Sequence, residues 1–216
     1  MRPIISIVGK SDTGKTTLLE GLIAELKQRG YKITAIKHAG DDFELDKEGK
    51  DSWRLGQAGS EVVAISSPHK LAVVKQMEHD LSPQEISRFI KWDCDLILTE
   101  GFKKSNNPKV EVHSKEQGSE LLSPPKQLLA VVTDEPLAID VPQFSRNEIQ
   151  KLADLTEKWL QKRQREDDIE LLVNDVFVSL NPFIKKLMAS VLLAIISNLK
   201  GIGKIKSLGI SLRRKA

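Results

Sequence analysis

Residues 9–16 read GKSDTGKT, and four of them have the types and spacing needed to hold a phosphate chain. Gly9, Gly14, Lys15 and Thr16 fill the pattern G-x-x-x-x-G-K-[ST]. Glycine at both ends lets the backbone wrap an anion with its N–H groups turned inward. The Lys15 ammonium reaches β- and γ-phosphates, and the Thr16 hydroxyl suits a Mg²⁺ ligand. We expect Gly9, Ser11, Asp12, Thr13, Gly14, Lys15, Thr16 and Thr17 to line a nucleotide site. The loop leaves open whether the base is adenine or guanine. It also leaves open whether phosphate is transferred, hydrolysed or only held.

A magnesium-dependent loop needs an acid nearby, and DLILTEG (95–101) offers two. Phosphate sites of open parallel sheets lie at the carboxyl ends of the strands. Glu100 ends this strand and is the expected metal residue together with Thr16. Asp95 begins it and reads as a turn residue. The segment KHAGDDFELDKEGKDSWRLGQAGS (37–60) is dense in charge and glycine. Lys37 and Arg54 are candidates to neutralise phosphate charge, and Asp46 or Asp51 to support magnesium or a water. His38 reads either as a base or as a structural histidine. The strand LLAVV (128–132) is followed by Thr133-Asp134, whose carboxylate is the candidate contact to a guanine edge.

These residues need a scaffold that brings strand ends together. PIISIV before the glycine loop reads as a buried strand. After it, Leu18, Leu22 and Leu26, with Leu19 and Ile23, mark one helix face that closes at Gly30. Strand, glycine loop and helix form the setting that gives the motif its meaning. Further strands are expected in YKITAIKH, EVVAISS, LAVVKQ, DLILTEG, KVEVHS and LLAVVT. SPQEISRFIKW carries Ser82, Pro83 and Glu85 as a capping box. SRNEIQKLADLTEKWLQKR repeats the box with Ser145 and Glu148. Alternating strands and helices predict an α/β fold of the P-loop NTPase type, mostly parallel, with helices on both faces.

The charged run QKRQREDD (161–168) divides the chain into a nucleotide-binding domain, 1–165, and a small ββαβ unit, 166–216. In the latter, two short strands flank Asn174-Asp175. A helix follows, with Asn181 as N-cap and Pro182 at N1, and IKSLGISLR alternates like a last strand. A unit this small rarely stands alone, and we expect it to serve as a docking module.

Composition sets outer limits. Apolar residues make up 40% and charged residues 29% of 216, which is ordinary for a globular protein. A net charge of +3 is too small to point to nucleic acid. The single cysteine, Cys94, excludes a disulfide framework and reads as a small core residue. The 13-residue apolar run at 187–199 is shorter than a bilayer span. With no leader expected before the first strand, a cytoplasmic protein without membrane attachment is the expectation.

Taken together, GKSDTGKTTLL, IKH, GKDSWRLGQAGS and LTEGFK resemble the molybdopterin-guanine dinucleotide biosynthesis adapter proteins, the MobB family. The likeness covers about residues 1 to 160 in order and spacing. It implies a GTP-binding P-loop protein, hydrolysing slowly at most and usually a homodimer, to which the residues above add Mg²⁺ as the expected metal. Such a protein assists the MobA-like guanylyltransferase that attaches GMP to molybdopterin. By this resemblance Gly9, Gly14, Lys15, Thr16 and Thr17 match the phosphate motif. Lys37, Asp51, Ser52 and Arg54 match the second motif, and Glu100 with Lys103 the third. The chain departs from the family at Ala39-Gly40-Asp41-Asp42, where members often carry further histidines. The segment from 167 lies beyond the shorter members. Two other classes remain compatible with the motif: a P-loop kinase of a small substrate, with Asp46 as its base, and a nucleotide-switched dimeric ATPase or GTPase.

Overall fold

The computed structural model describes residues 2–40, 43, 47–90, 94–118, 120–163, 169, 171–174, 176–203, 205 and 208–210. It falls into two compact units, Arg2–Glu157 and Lys158–Ala216.

The larger unit is built on one sheet. Strands β1 (Ile4–Gly9), β2 (Ile33–Lys37), β5 (Leu96–Glu100), β6 (Lys109–Val112), β7 (Leu128–Val132) and β8 (Gln143–Phe144) lie in the order β2-β5-β1-β6-β7-β8. Every neighbouring pair is parallel. All six carboxyl ends therefore point to one edge, and the loops that follow the strands gather there. Strand β1 is buried along its whole length, as its largely apolar sequence suits a central parallel strand, and its one polar side chain, Ser6, accepts from the Thr99 hydroxyl at 2.9 Å.

Pleating sends alternate side chains to opposite faces. Ile4, Ile36 and Ile97 share one face and pack with Phe102 against Ile86, Ile90 and Cys94. This is the side of α3 (Pro83–Phe89), which begins with the expected capping box of Ser82 and Glu85. Ile5, Ile7 and Leu98 point to the other face, where α1 (Lys15–Gln28) lies along β1, β5 and β2. Leu18, Leu19, Leu22 and Leu26 are the buried stripe of α1. The helix ends in a Schellman motif. Gly30 has φ 90°, its N–H bonds to the Lys27 carbonyl, and the Tyr31 N–H bonds to the Leu26 carbonyl. Arg29 then ties α1 to α4 (Ile149–Arg163) through Asp154 at 2.7 Å and Glu157 at 3.1 Å. The second expected capping box is seen in its return half, with Glu148 Oε2 accepting from the Ser145 N–H at 2.8 Å. Regular helix follows from Ile149.

Two features break the simple alternation. Strands β3 (Val62–Ser67) and β4 (Lys70–Lys75) form an antiparallel hairpin outside the main sheet. Among its described residues the connection from β6 to β7 contains short 3-10 turns and no α-helix.

In the smaller unit β9 (Leu171–Val173) pairs antiparallel with β10 (Val176–Val178) across Asn174, which has φ 51°. Helix α5 (Pro182–Ser197) starts with the Asn181 side chain accepting from the Ile184 N–H at 2.9 Å, the cap expected there. Ile205 and residues 208–210 of the expected last strand carry no strand structure. The rest of that segment lies outside the described residues. Among the described residues no helix is long and apolar enough to cross a membrane.

Candidate functional site: a phosphate loop at the sheet edge

Where β1 ends, Gly9 has φ 155°, and a Cβ there would fall 2.6 Å from the Val112 carbonyl oxygen and 2.8 Å from Thr13 Oγ1. Backbone cannot yield at the first of these, so the position requires glycine. Asp12 (φ 59°) and Gly14 (φ 80°) turn the chain back over itself into α1. Buried Thr13 donates from Oγ1 to the Lys10 carbonyl at 2.9 Å, which ties the arch together. Lys15 Nζ reaches the same carbonyl at 2.6 Å, so its ammonium lies across the loop. Helix α1 has no side-chain cap and no acid in its first turn. Its leading N–H groups and positive dipole end are left to an anion.

Strand register brings the acid to this loop. Glu100 is paired with Ile7 on one side and Lys37 on the other. Its side chain is only 12% exposed. Glu100 Oε2 accepts from the Thr16 hydroxyl at 2.8 Å, and Oε1 lies 3.7 Å from Lys37 Nζ. A hydroxyl and a carboxylate beside a phosphate cradle form the sparse set of hard oxygen donors that suits Mg²⁺. That ion takes few protein ligands and completes its shell with phosphate and water. Among the described residues there is no cluster of three or more His, Cys, Asp or Glu side chains that could hold a metal ion. Asp95, at the opposite end of β5, accepts from the Lys32 N–H at 2.8 Å, as a turn residue would.

The turn after β5 fixes His38. Gly101 (φ 96°) and Phe102 (φ 55°) take left-handed conformations in succession. A Cβ on Gly101 would sit 3.0 Å from His38 Cβ. The His38 N–H bonds to the Glu100 carbonyl at 2.9 Å, its ring lies 4.6 Å from that of Phe102, and Nε2 lies 2.9 Å from Asp80. These contacts give His38 a structural setting. Asp80 and Phe102 were not among the residues picked out by sequence.

The second motif is placed differently. Asp51 and Arg54 lie on the short helix α2 (Asp51–Gln57), 3.9 Å apart, with the Arg54 side chain 72% exposed. No described contact ties either side chain to the phosphate loop. Asp46 lies outside the described residues. Lys103 is exposed in the turn after β5.

Asp134 follows β7 and meets a residue that sequence reading passed over. Arg146 Nε donates to Asp134 Oδ2 at 2.9 Å, and its Nη1 donates to the Thr13 carbonyl at 2.8 Å. The only sequence signal was an arginine just after a predicted helix cap. Two buried charges in KVEV were also missed. Lys109 is fully buried and donates to Gln127 Oε1 at 2.6 Å and to the Ser105 carbonyl; burial lowers its pKa. Glu111 accepts from the backbone N–H groups of Leu122 and Ser123 at 2.6 and 2.9 Å. Both hold the β6–β7 connection, whose buried polar groups need such partners.

Comparison with known proteins agrees with this geometry. The family described as "Molybdopterin guanine dinucleotide synthesis protein B" matches residues 4–134. A molybdopterin-guanine dinucleotide biosynthesis adapter protein of Haemophilus influenzae is 39% identical over 159 residues, covering 73% of this chain and 89% of that protein. A putative adapter of the same name from Methanocaldococcus jannaschii is 27% identical over 233 residues, with 97% of each chain covered. A crystal structure titled molybdopterin-guanine biosynthesis protein B superposes with a TM-score of 0.55 at 32% identity, over 73% of this chain and 99% of the other. Bacillus subtilis MobB gives 0.57 at 25% identity, over 72% and 96%.

Proposed function

We propose, from the premise that this chain belongs to the molybdopterin guanine dinucleotide synthesis protein B family, that it is a GTP-binding adapter in molybdenum cofactor maturation. In this reading it assists the guanylyltransferase that joins GMP to molybdopterin. The observation that carries the reading is the Thr16–Glu100 pair at 2.8 Å in the mouth of the Gly9–Thr17 loop. A phosphate cradle with its own magnesium donors serves a nucleotide and has no purpose for an uncharged ligand.

In this reading the backbone N–H groups of the loop, with Ser11, Asp12, Thr13 and Thr17, hold the triphosphate. Lys15 neutralises its β- and γ-oxygens. Thr16 and Glu100 hold Mg²⁺, which supplies charge neutralisation at the phosphates when bound. Lys37, bridged to Glu100, adds positive charge at the rim. Arg54 lies on an exposed helix and acts only if that helix moves toward the site. Hydrolysis is slow in this reading, because Arg146, the arginine that the described contacts bring to the loop, is engaged by the Thr13 carbonyl and Asp134 and is not free to follow a γ-phosphoryl group in flight. Such a group is worth about 10³–10⁵ in rate.

The assembly is a homodimer. A two-stranded hairpin is marginal alone. Strands β3 and β4 nevertheless expose Val62, Ile65, Leu71 and Val73, and a second copy is the partner that would cover them. The segment 166–216 is the docking module for the transferase. Its helix α5 exposes Phe183, Leu187, Val191 and Ile195 at four-residue spacing. A cytoplasmic setting follows from the supply of GTP and Mg²⁺.

The test is reconstitution. Purified guanylyltransferase, molybdopterin and GTP should form the dinucleotide cofactor faster with this chain than without it, and the Lys15→Ala chain should not restore the rate. No change in rate on adding the wild-type chain would overturn the adapter reading.

A further inference from the structure

Guanine selection by P-loop proteins commonly uses an N-K-x-D motif, which this chain lacks. The sheet brings an equivalent pair of charges to the loop from two separate strand ends. Asp134 stands two residues past β7, in a turn held by the Thr133 hydroxyl, which bonds to the backbone of Glu135. Arg146 stands two residues past β8. Its guanidinium joins three elements at once. It donates to Asp134 Oδ2 at 2.9 Å and to the Thr13 carbonyl at 2.8 Å, and Nη1 lies 2.7 Å from the point where a Gly14 Cβ would be. Gly14 is therefore a glycine for a second reason besides its φ of 80°: any side chain there would displace the guanidinium.

The geometry points to Asp134 and Arg146 as the base-selecting pair of this site, with Asp134 contacting the base and Arg146 positioning it. This rests on the Gly9–Thr17 loop holding a nucleoside triphosphate. Asp134 is exposed, and among the described contacts its Oδ1 has no partner. A carboxylate is an acceptor only. Guanine presents two adjacent donors, N1–H and the 2-amino group, which a carboxylate takes together. Adenine presents a bare N1 lone pair at the same edge and is repelled. Arg146 fixes the carboxylate by a charge-assisted bond and locks it in register with the loop that holds the phosphates.

Calorimetric titration of the full chain with Mg²⁺ complexes of GTP, ITP, XTP and ATP tests this. The wild-type chain should prefer GTP over ATP by about 10- to 100-fold, the range for a charged hydrogen-bond pair, with ITP between them. Asp134→Asn should lose GTP affinity by a similar factor and gain XTP, because an amide accepts from N1–H and donates to the xanthine 2-oxygen. Arg146→Ala should weaken GTP with little effect on ATP, collapsing the ratio, and Arg146→Lys should restore part of it. A merely structural arginine would weaken both nucleotides equally. Wild-type affinities for GTP and ATP within twofold, or an Asp134→Asn chain that keeps its GTP preference, would overturn the pair and leave the phosphate loop standing. Failure to bind any of the four would overturn the nucleotide reading itself and the pair with it. Asp134→Asn is nearly isosteric at an exposed position, so it reports even if Arg146→Ala unfolds.

Discussion

The phosphate loop and the segment from His38 to Ser60 leave the carboxyl ends of β1 and β2, the two parallel strands that flank β5, and both are rich in glycine and charge. Their structures differ. The first is pinned on every side: Val112 and Thr13 close on Gly9, Lys15 crosses to the Lys10 carbonyl, Glu100 meets Thr16, and Arg146 lies over Gly14. Among the described contacts, the second touches the sheet edge at its start, through His38. It then runs out to α2, seven residues long with none buried. A motif placed on rigid strand ends is organised before its ligand arrives. A motif on an exposed short helix is organised, if at all, by a ligand or partner. Loops of that second kind are where switching segments are found.

The largest effect within this comparison should come from the pinned side. Glu100→Gln keeps size and shape but removes the charge that faces Thr16. GTP affinity measured with Mg²⁺ should fall about tenfold or more, while affinity without the metal should hardly change. Equal losses in both conditions would move the metal role to Asp51 or Asp46.

A smaller effect is expected on the loose side. Arg54→Ala removes a side chain whose described ion pair is an exposed contact to Asp51 at 3.9 Å. GTP affinity of the isolated chain should stay within about threefold, since such pairs contribute little. A loss as large as that of Glu100→Gln would show that α2 closes onto the nucleotide and would erase the distinction drawn between the two segments.

The smallest effect concerns the scaffold. Lys151 and the Ser145 N–H hold the Glu148 carboxyl down at about 2 from its usual 4.5. A depressed carboxyl stabilises the fold fully above 4.5 and loses that contribution as the pH falls toward 2. Melting curves of Glu148→Gln should therefore lie slightly below wild type at neutral pH and converge with it near the acid end. A constant gap at all pH values would show that the effect is not one of charge.

These contrasts also mark what could be read without a structure. The phosphate loop was legible because its four fixed residues are local and its flanks are one strand and one helix. That Glu100 lies beside the glycine loop and Asp95 at the opposite end of β5 followed from chain direction alone. Arg146 was not legible, because its partners are 12 and 133 residues away and the order β1-β6-β7-β8 is what brings their loops to one edge. The hairpin β3–β4 was read as two strands, but their separation from the main sheet is a matter of pairing, which alternation of apolar residues does not encode. Lys109 and Glu111 look like solvent-facing positions of an alternating strand. Burial on both faces of β6 made them interior: Glu111 takes backbone N–H partners 11 and 12 residues downstream, and Lys109 takes the Ser105 carbonyl and the Gln127 side chain.

The central claim is that this edge of the sheet binds a nucleoside triphosphate through Lys15 and its loop. Its most direct test is titration of Mg²⁺–GTP into the wild-type and Lys15→Ala chains, with thermal melts of both. The account predicts saturable binding by the wild type and a loss of about 10- to 100-fold in the variant, since a charge-assisted phosphate contact is removed. The melting temperature without nucleotide should be nearly unchanged. GTP affinity of Lys15→Ala within twofold of wild type would contradict it.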